Sequence, residues 1–197
     1  MVLRWTASNP VAMVIDANWP ESAECLYTRN ELERALDRLS REIGDRLTGP
    51  EPLLVLTVMH GGLVTAGHLL PRLSMPLETD YVHASRYGHR MDGDDQLRWL
   101  HRPATPLAGR RILIVDDILD QGLTLKGLVE ACRAQGALSI HTAALVQKRL
   151  PDPPAVEADF VGLTVPDRFV FGFGMDYQGL WRNAPGLYAV PESDGGH

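Results

Sequence analysis

Three carboxylates and a glycine sit close together in Val115–Thr124, VDDILDQGLT: Asp116, Asp117, Asp120 and Gly122. The apolar run Arg111–Val115 precedes them and a helical segment, TLKGLVEACRAQ, follows Gly122. Gly122 relieves the steric limit on a tight turn, so the successive backbone N–H groups of Asp120, Gln121, Gly122, Leu123 and Thr124 can point into one concavity. The helix dipole and the Thr124 hydroxyl reinforce it. Such a cradle suits a phosphate monoester. It is not a Walker loop, because GxxxxGK[ST] does not occur. Carboxylates beside a phosphate repel it, which makes sense only if they accept hydrogen bonds from sugar hydroxyls, approach a metal or move a proton. The pattern therefore suggests a phosphorylated sugar. Spacing alone equally allows Asp116 and Asp117 to end a strand and Asp120 to cap a helix. A receiver-type phosphoacceptor module fits less well, since its acidic pair comes early in the chain and this one lies past the middle.

Other residues carry weaker signals. Gly61 and Gly62 follow the apolar run Leu53–Val58. Read singly, Lys148 with Arg149 is a solvated basic pair or a ligand contact, FVFGFG is a core strand, Asp176 a turn residue and Arg182 a surface cation. The seven histidines are scattered and form no ligand cluster, and His68 reads as structural. Cys25 and Cys132 are far apart without CxxC spacing and read as packing residues, which suits a reducing compartment.

These candidates need a scaffold. Thr28 stands three residues before Glu31, and Leu32, Leu36, Leu39, Ile43 and Leu47 recur at helical spacing, predicting an amphipathic helix over 28–49. Leu53–Val58 is a continuous apolar run of the kind found in buried parallel strands, LVTAGHLL is helical, and PLETDYVHASRY is a second strand. Residues 88–104 turn polar, a long excursion read as a mobile functional loop with LRWLH as a possible strand inside it. Further strands are expected at Arg111–Val115 and Ser139–Val146, and short ones in ADFVGL, FVFGFG and LYAV. The alternation predicts an α/β fold, a mostly parallel open sheet flanked by helices, with a small hood from the C-terminal and N-terminal residues. One domain over 1–197 is expected, with a core of about 28–150 and a hood of about 151–197. Ligands in such sheets sit beyond the carboxyl ends of the strands, which directs attention to MHGG and DDILDQGLT.

With 45% apolar residues and a net charge of −6 (19 basic, 25 acidic), the 197-residue chain is not disordered. General nucleic-acid binding is disfavoured because acids and bases are interspersed. The sequence shows no stretch long and apolar enough for a membrane span and no signal-like start, so a cytoplasmic protein without membrane partners is expected.

The segment Val115–Thr124 resembles the phosphoribosyl pyrophosphate (PRPP) motif of type I phosphoribosyltransferases. Met59-His60-Gly61-Gly62, Pro76–Tyr87, Leu145–Arg149 and ADFVGLTVPDRFVFGFGMDYQGLWRN follow in the order found in hypoxanthine-guanine phosphoribosyltransferases, so the resemblance runs from about residue 53 to 190. It implies Mg²⁺-dependent transfer of phosphoribose from PRPP to N9 of a 6-oxopurine, giving IMP or GMP and pyrophosphate, in a homo-dimer or homo-tetramer. A xanthine-preferring enzyme or a PRPP- or nucleotide-sensing regulator without catalysis are the alternatives.

By the same resemblance, Asp116 and Asp117 contact the ribose hydroxyls and Asp120 takes the N7 proton, while Asp120–Thr124 hold the 5′-phosphate. Lys148 donates to the 6-oxo group, Phe169 stacks on the base, and Val170 meets it through its backbone. Asp176 is the Mg²⁺-associated acid, with Asp116 and Asp117 also near the metal, and Arg182, His60 and Gly61 reach pyrophosphate. Phe171 and Phe173 stay structural. The chain departs from the family in several places: His60 stands where Lys is common, in a loop that can contain a cis Met59–His60 bond. Gln121 and Leu123 replace Thr and Lys, and Arg86-Tyr87 replaces Ser-Tyr in the expected flexible loop, where Arg86 adds charge to the pyrophosphate site.

Overall fold

The computed structural model describes residues 19–20, 22–86 and 97–191. In chain order these form β1 (Glu24–Tyr27), α1 (Arg29–Leu47), β2 (Leu53–Val58), α2 (Gly62–Leu69), a 3₁₀ turn (Leu70–Arg72), β3 (Leu77–Arg86), β4 (Leu97–His101), β5 (Arg111–Leu119), α3 (Leu123–Ala134), β6 (Ser139–Arg149), β7 (Phe160–Pro166), β8 (Val170–Phe171) and β9 (Leu187–Ala189). Among the described residues no helix is long and apolar enough to cross a membrane.

Six strands form one sheet in the order β4-β3-β2-β5-β6-β7. All neighbours are parallel except β3 and β4, an antiparallel edge pair. Every residue of β2 is buried, as its unbroken apolar run predicts for a strand covered on both faces. Alternation divides the core. Leu53, Val55, Leu113 and Val115 join α1 and α2 on one face, while Leu54, Leu56, Ile112 and Ile114 meet Leu125, Leu128 and Cys132 on the other.

The Thr28–Glu31 pair starts α1 as expected: the Thr28 backbone N–H and hydroxyl both donate to the Glu31 carboxylate, at 2.8 and 2.7 Å. Those bonds hold Glu31 below the usual carboxylate range. Leu32, Leu36, Leu39, Ile43 and Leu47 are all buried.

A second sheet, β1-β9-β8, is antiparallel throughout and is built from both ends of the described chain. Val170, Phe173, Met175, Leu187 and Ala189 carry it into the same core as α1. Trp19 meets Phe171, Trp181 and Tyr188 edge-on, with ring centroids 4.8, 5.2 and 5.0 Å away. This is the expected hood, although no sequence pattern marked β1.

Two expectations are corrected. β5 does not stop at Val115. Its parallel ladder to β6 continues from Asp116 opposite Ala144 to Leu119 opposite Gln147, so the acidic pair lies inside the strand. The polar excursion expected over 88–104 is also shorter as a loop, because the strand expected in LRWLH is there as β4, Leu97–His101, paired with β3, whose last residue is Arg86. Tyr87 lies outside the described residues, as does the side chain of Arg86.

Candidate active site

The chain runs from β2 to β3 on one side of the sheet and later places β5 on the other side of β2. The order therefore reverses between β2 and β5, where an open α/β sheet leaves a crevice beyond its carboxyl ends. The loop after β2 and the acidic end of β5 meet there. Met59–His60 is a cis peptide bond. The next residue, Gly61, has no room for a side chain, since a Cβ would lie 2.0 Å from Asp117 Oδ2. On the other side of this loop, a Cβ on Gly174 would come within 2.4 Å of the Gly61 carbonyl oxygen.

Asp117 is buried and its Oδ1 accepts the Ile118 N–H at 2.9 Å, while Asp116 Oδ1 accepts the Asp117 N–H at 2.9 Å. Burial raises the proton affinity of both, and the charge of Asp117 pushes Asp116 higher still. Arg182 opposes that effect at Asp117. Its guanidinium donates to the Gly174 carbonyl at 2.7 Å and pairs with Asp176 at 2.6 Å, while the second Asp176 oxygen accepts the Gly179 N–H at 2.9 Å. Thus Gly61, Asp117, Gly174, Asp176 and Arg182 form one connected group.

Gly122 caps α3 with φ +74°, a left-handed conformation, and a Cβ there would lie 2.9 Å from the Val156 carbonyl oxygen. Both facts require glycine. The Gln121 carbonyl accepts the Ala155 N–H at 2.8 Å, which ties the turn to the loop before β7. The first N–H groups of α3, from Leu123 and Thr124, have no intrahelical acceptors and face the end of the helix, as an anion cradle needs.

β6 extends past Val146 to Arg149 and carries Lys148 level with Val165 of β7. The Lys148 ammonium lies 2.8 Å from Asp120 Oδ2 and 3.6 Å from Asp167 Oδ1. Two residues beyond Asp167, the Phe169 ring is 47% exposed, while Phe171 and Phe173 are buried. An exposed aromatic ring is a ready platform for a flat ligand. Val170 is buried in β8.

Sequence reading missed three features. Asp167, after Pro166, reads from the sequence as a turn position with no ligand role. Gly174 matters through a contact 113 positions away from it. Third, His83 and His101 are cross-strand partners on β3 and β4, and His60 meets His83 edge-on at 4.5 Å, so three of the scattered histidines adjoin. Burial, with His60 and His101 nearby, lowers the proton affinity of His83. His68 instead packs on Phe173 and faces Glu33. A register shift between His83 and Ala84 sets His83 opposite His101, and such a bulge is visible only once the β3–β4 pairing is known.

A glycine turn opening a helix at a sheet switch point, with buried acids at the end of β5 and an exposed aromatic ring before β8, is an α/β arrangement suited to a phosphorylated sugar and a planar group. The model of the phosphoribosyl transferase domain matches residues 22–178, and the chain belongs to that family. It is 34% identical over 160 residues to the hypoxanthine-guanine phosphoribosyltransferase of Bacillus subtilis, covering 81% of this chain and 88% of that protein. The same identity holds to the bifunctional protein TilS/HprT of Listeria innocua, of whose length the match spans only 24%. Among solved structures, a hypoxanthine phosphoribosyltransferase from Trypanosoma cruzi, in a ternary substrates complex, superposes with a TM-score of 0.80 at 27% identity, over 88% of this chain and 98% of that one.

Proposed function

We propose that the protein transfers the 5-phosphoribosyl group of PRPP to N9 of a 6-oxopurine, releasing pyrophosphate and forming IMP or GMP. The observation that carries this reading is the Lys148–Asp120 pair, a donor and an acceptor 2.8 Å apart. A 6-oxopurine protonated at N7 presents, on adjacent atoms of one edge, a carbonyl acceptor and an N–H donor. An ammonium cannot accept a hydrogen bond, so Lys148 favours the oxo group over the amino group of adenine.

In the reaction the N9–C1′ bond forms as the C1′–O bond to pyrophosphate breaks, and Asp120 accepts the N7 proton. Phe169 covers one face of the base. The Asp120–Thr124 backbone holds the 5′-phosphate, Asp116 and Asp117 accept from the ribose hydroxyls, and Arg182 with the His60–Gly61 loop receives pyrophosphate. The donor set suits Mg²⁺, because Asp116, Asp117 and Asp176 offer hard carboxylate oxygens. When bound with the substrate's phosphates, Mg²⁺ neutralises charge on the leaving group. Among the described residues no group of three or more His, Cys, Asp or Glu side chains is placed to hold a metal ion.

The test is to incubate the protein with PRPP, Mg²⁺ and, separately, hypoxanthine, guanine, xanthine and adenine. IMP or GMP is expected. Product from adenine alone, or from none of the four bases, refutes the reading.

A further inference from the structure

Lys148 is a nearly covered cation, its side chain only 14% exposed, while its two carboxylate partners are about half exposed. The neighbouring cations are occupied elsewhere: Arg149 donates to the Thr164 hydroxyl and Arg168 engages Glu24 and the Val190 carbonyl. If Asp120 accepts a proton it becomes neutral and no longer balances Lys148. A covered ammonium left without a counter-charge is costly. Asp167, at 3.6 Å, is the remaining carboxylate within ion-pair reach among the described residues.

We propose that Asp167 is a positioning residue that shares the Lys148 ammonium with Asp120, keeping Lys148 compensated and aimed at the purine oxo group while Asp120 is protonated. The inference rests on the function proposed above. In the free protein the ammonium sits closer to Asp120. Once N7 surrenders its proton, the Lys148–Asp120 attraction disappears and Asp167 retains the lysine. No covalent change involves Asp167.

The test variants are Asp167→Asn and Asp167→Glu. Asn occupies a turn as readily as Asp, and the Arg168 N–H to Pro166 carbonyl bond of this turn is main-chain, so the fold should persist. With hypoxanthine and guanine, Asp167→Asn should lower kcat roughly three- to tenfold, the scale set by a half-exposed ion pair on a covered lysine, and leave KM for PRPP within about twofold. Asp167→Glu should restore most of kcat. Calorimetry supplies a readout independent of turnover: IMP should bind several-fold more weakly to Asp167→Asn, and ribose 5-phosphate equally well. A uniform loss of IMP and ribose 5-phosphate binding, or no change in either, overturns the role. If the parent protein forms no nucleotide, the proposed function fails on that result, and the IMP to ribose 5-phosphate ratio still decides Asp167.

Discussion

Gly61 offers the most direct test of how the two halves of the site fit. Its backbone is right-handed, φ −58° and ψ −51°, so alanine suits the conformation and in open space would stabilise by about 0.4–1 kcal/mol. Space is the obstacle. The three atoms nearest a new Cβ are Oδ2, Cγ and Oδ1 of Asp117, at 2.0, 2.4 and 2.5 Å. Contacts below 3 Å do not survive, so the carboxylate must move by about an ångström, yet it is buried and holds the Ile118 N–H. Overpacking of this kind costs about 1–3 kcal/mol, which leaves Gly61→Ala less stable by roughly 1–2 kcal/mol and lowers its melting temperature by roughly 2–8 °C. In an Asp117→Ala background the offending atoms are gone, and the same substitution should be neutral or stabilising. Thermal and urea unfolding of the four proteins completes the cycle. An equal loss in both backgrounds, or no loss in the first, refutes the reasoning.

Other outcomes follow from the same geometry. Asp120→Asn should keep the far-UV spectrum of the parent and lose turnover by about a hundredfold or more, since it removes the proton acceptor; near-parental activity refutes that role. Asp116 binds its proton more tightly in the fold than in the unfolded chain, through burial first and the Asp117 charge second, so folded stability declines as pH rises through its raised pKa. In chelator-containing buffer Asp116→Asn should therefore melt above the parent at pH 7, and the difference should close as the pH falls toward about 4. His83 carries the opposite sign. Its lowered proton affinity gives full stability above the ordinary histidine range and a loss as pH falls through it, so His83→Gln should flatten the decline in melting temperature between about pH 7 and 5.

Local pattern disclosed what local physics controls. Capping and periodicity located α1, the apolar runs located β2 and the start of β5, and Gly122 marked the turn before α3. The ends of β5 and β6 were not legible, because polar residues such as Asp116, Asp117 and Lys148 belong to strands only through the parallel ladder that pairs them. β1 was invisible for a related reason: ECLY carries no alternation, and its partner β9 lies more than 150 residues away. Asp116, Asp120 and Lys148 could be singled out from their motifs. Asp167 and His83 act through neighbours brought by tertiary register, which composition and spacing do not encode.

The hood sheet also sets an order of assembly. All six strands of the large sheet, with the Gly122 turn, are in place by Pro166, whereas β1 waits for β9, which ends at Ala189. A chain emerging from synthesis can thus pair its large sheet before it can close the surface that carries Phe169. On the function proposed above, β9 completes the side that carries Phe169, so loss of its pairing with β1 and β8 should weaken base binding first and leave the six-stranded sheet whole.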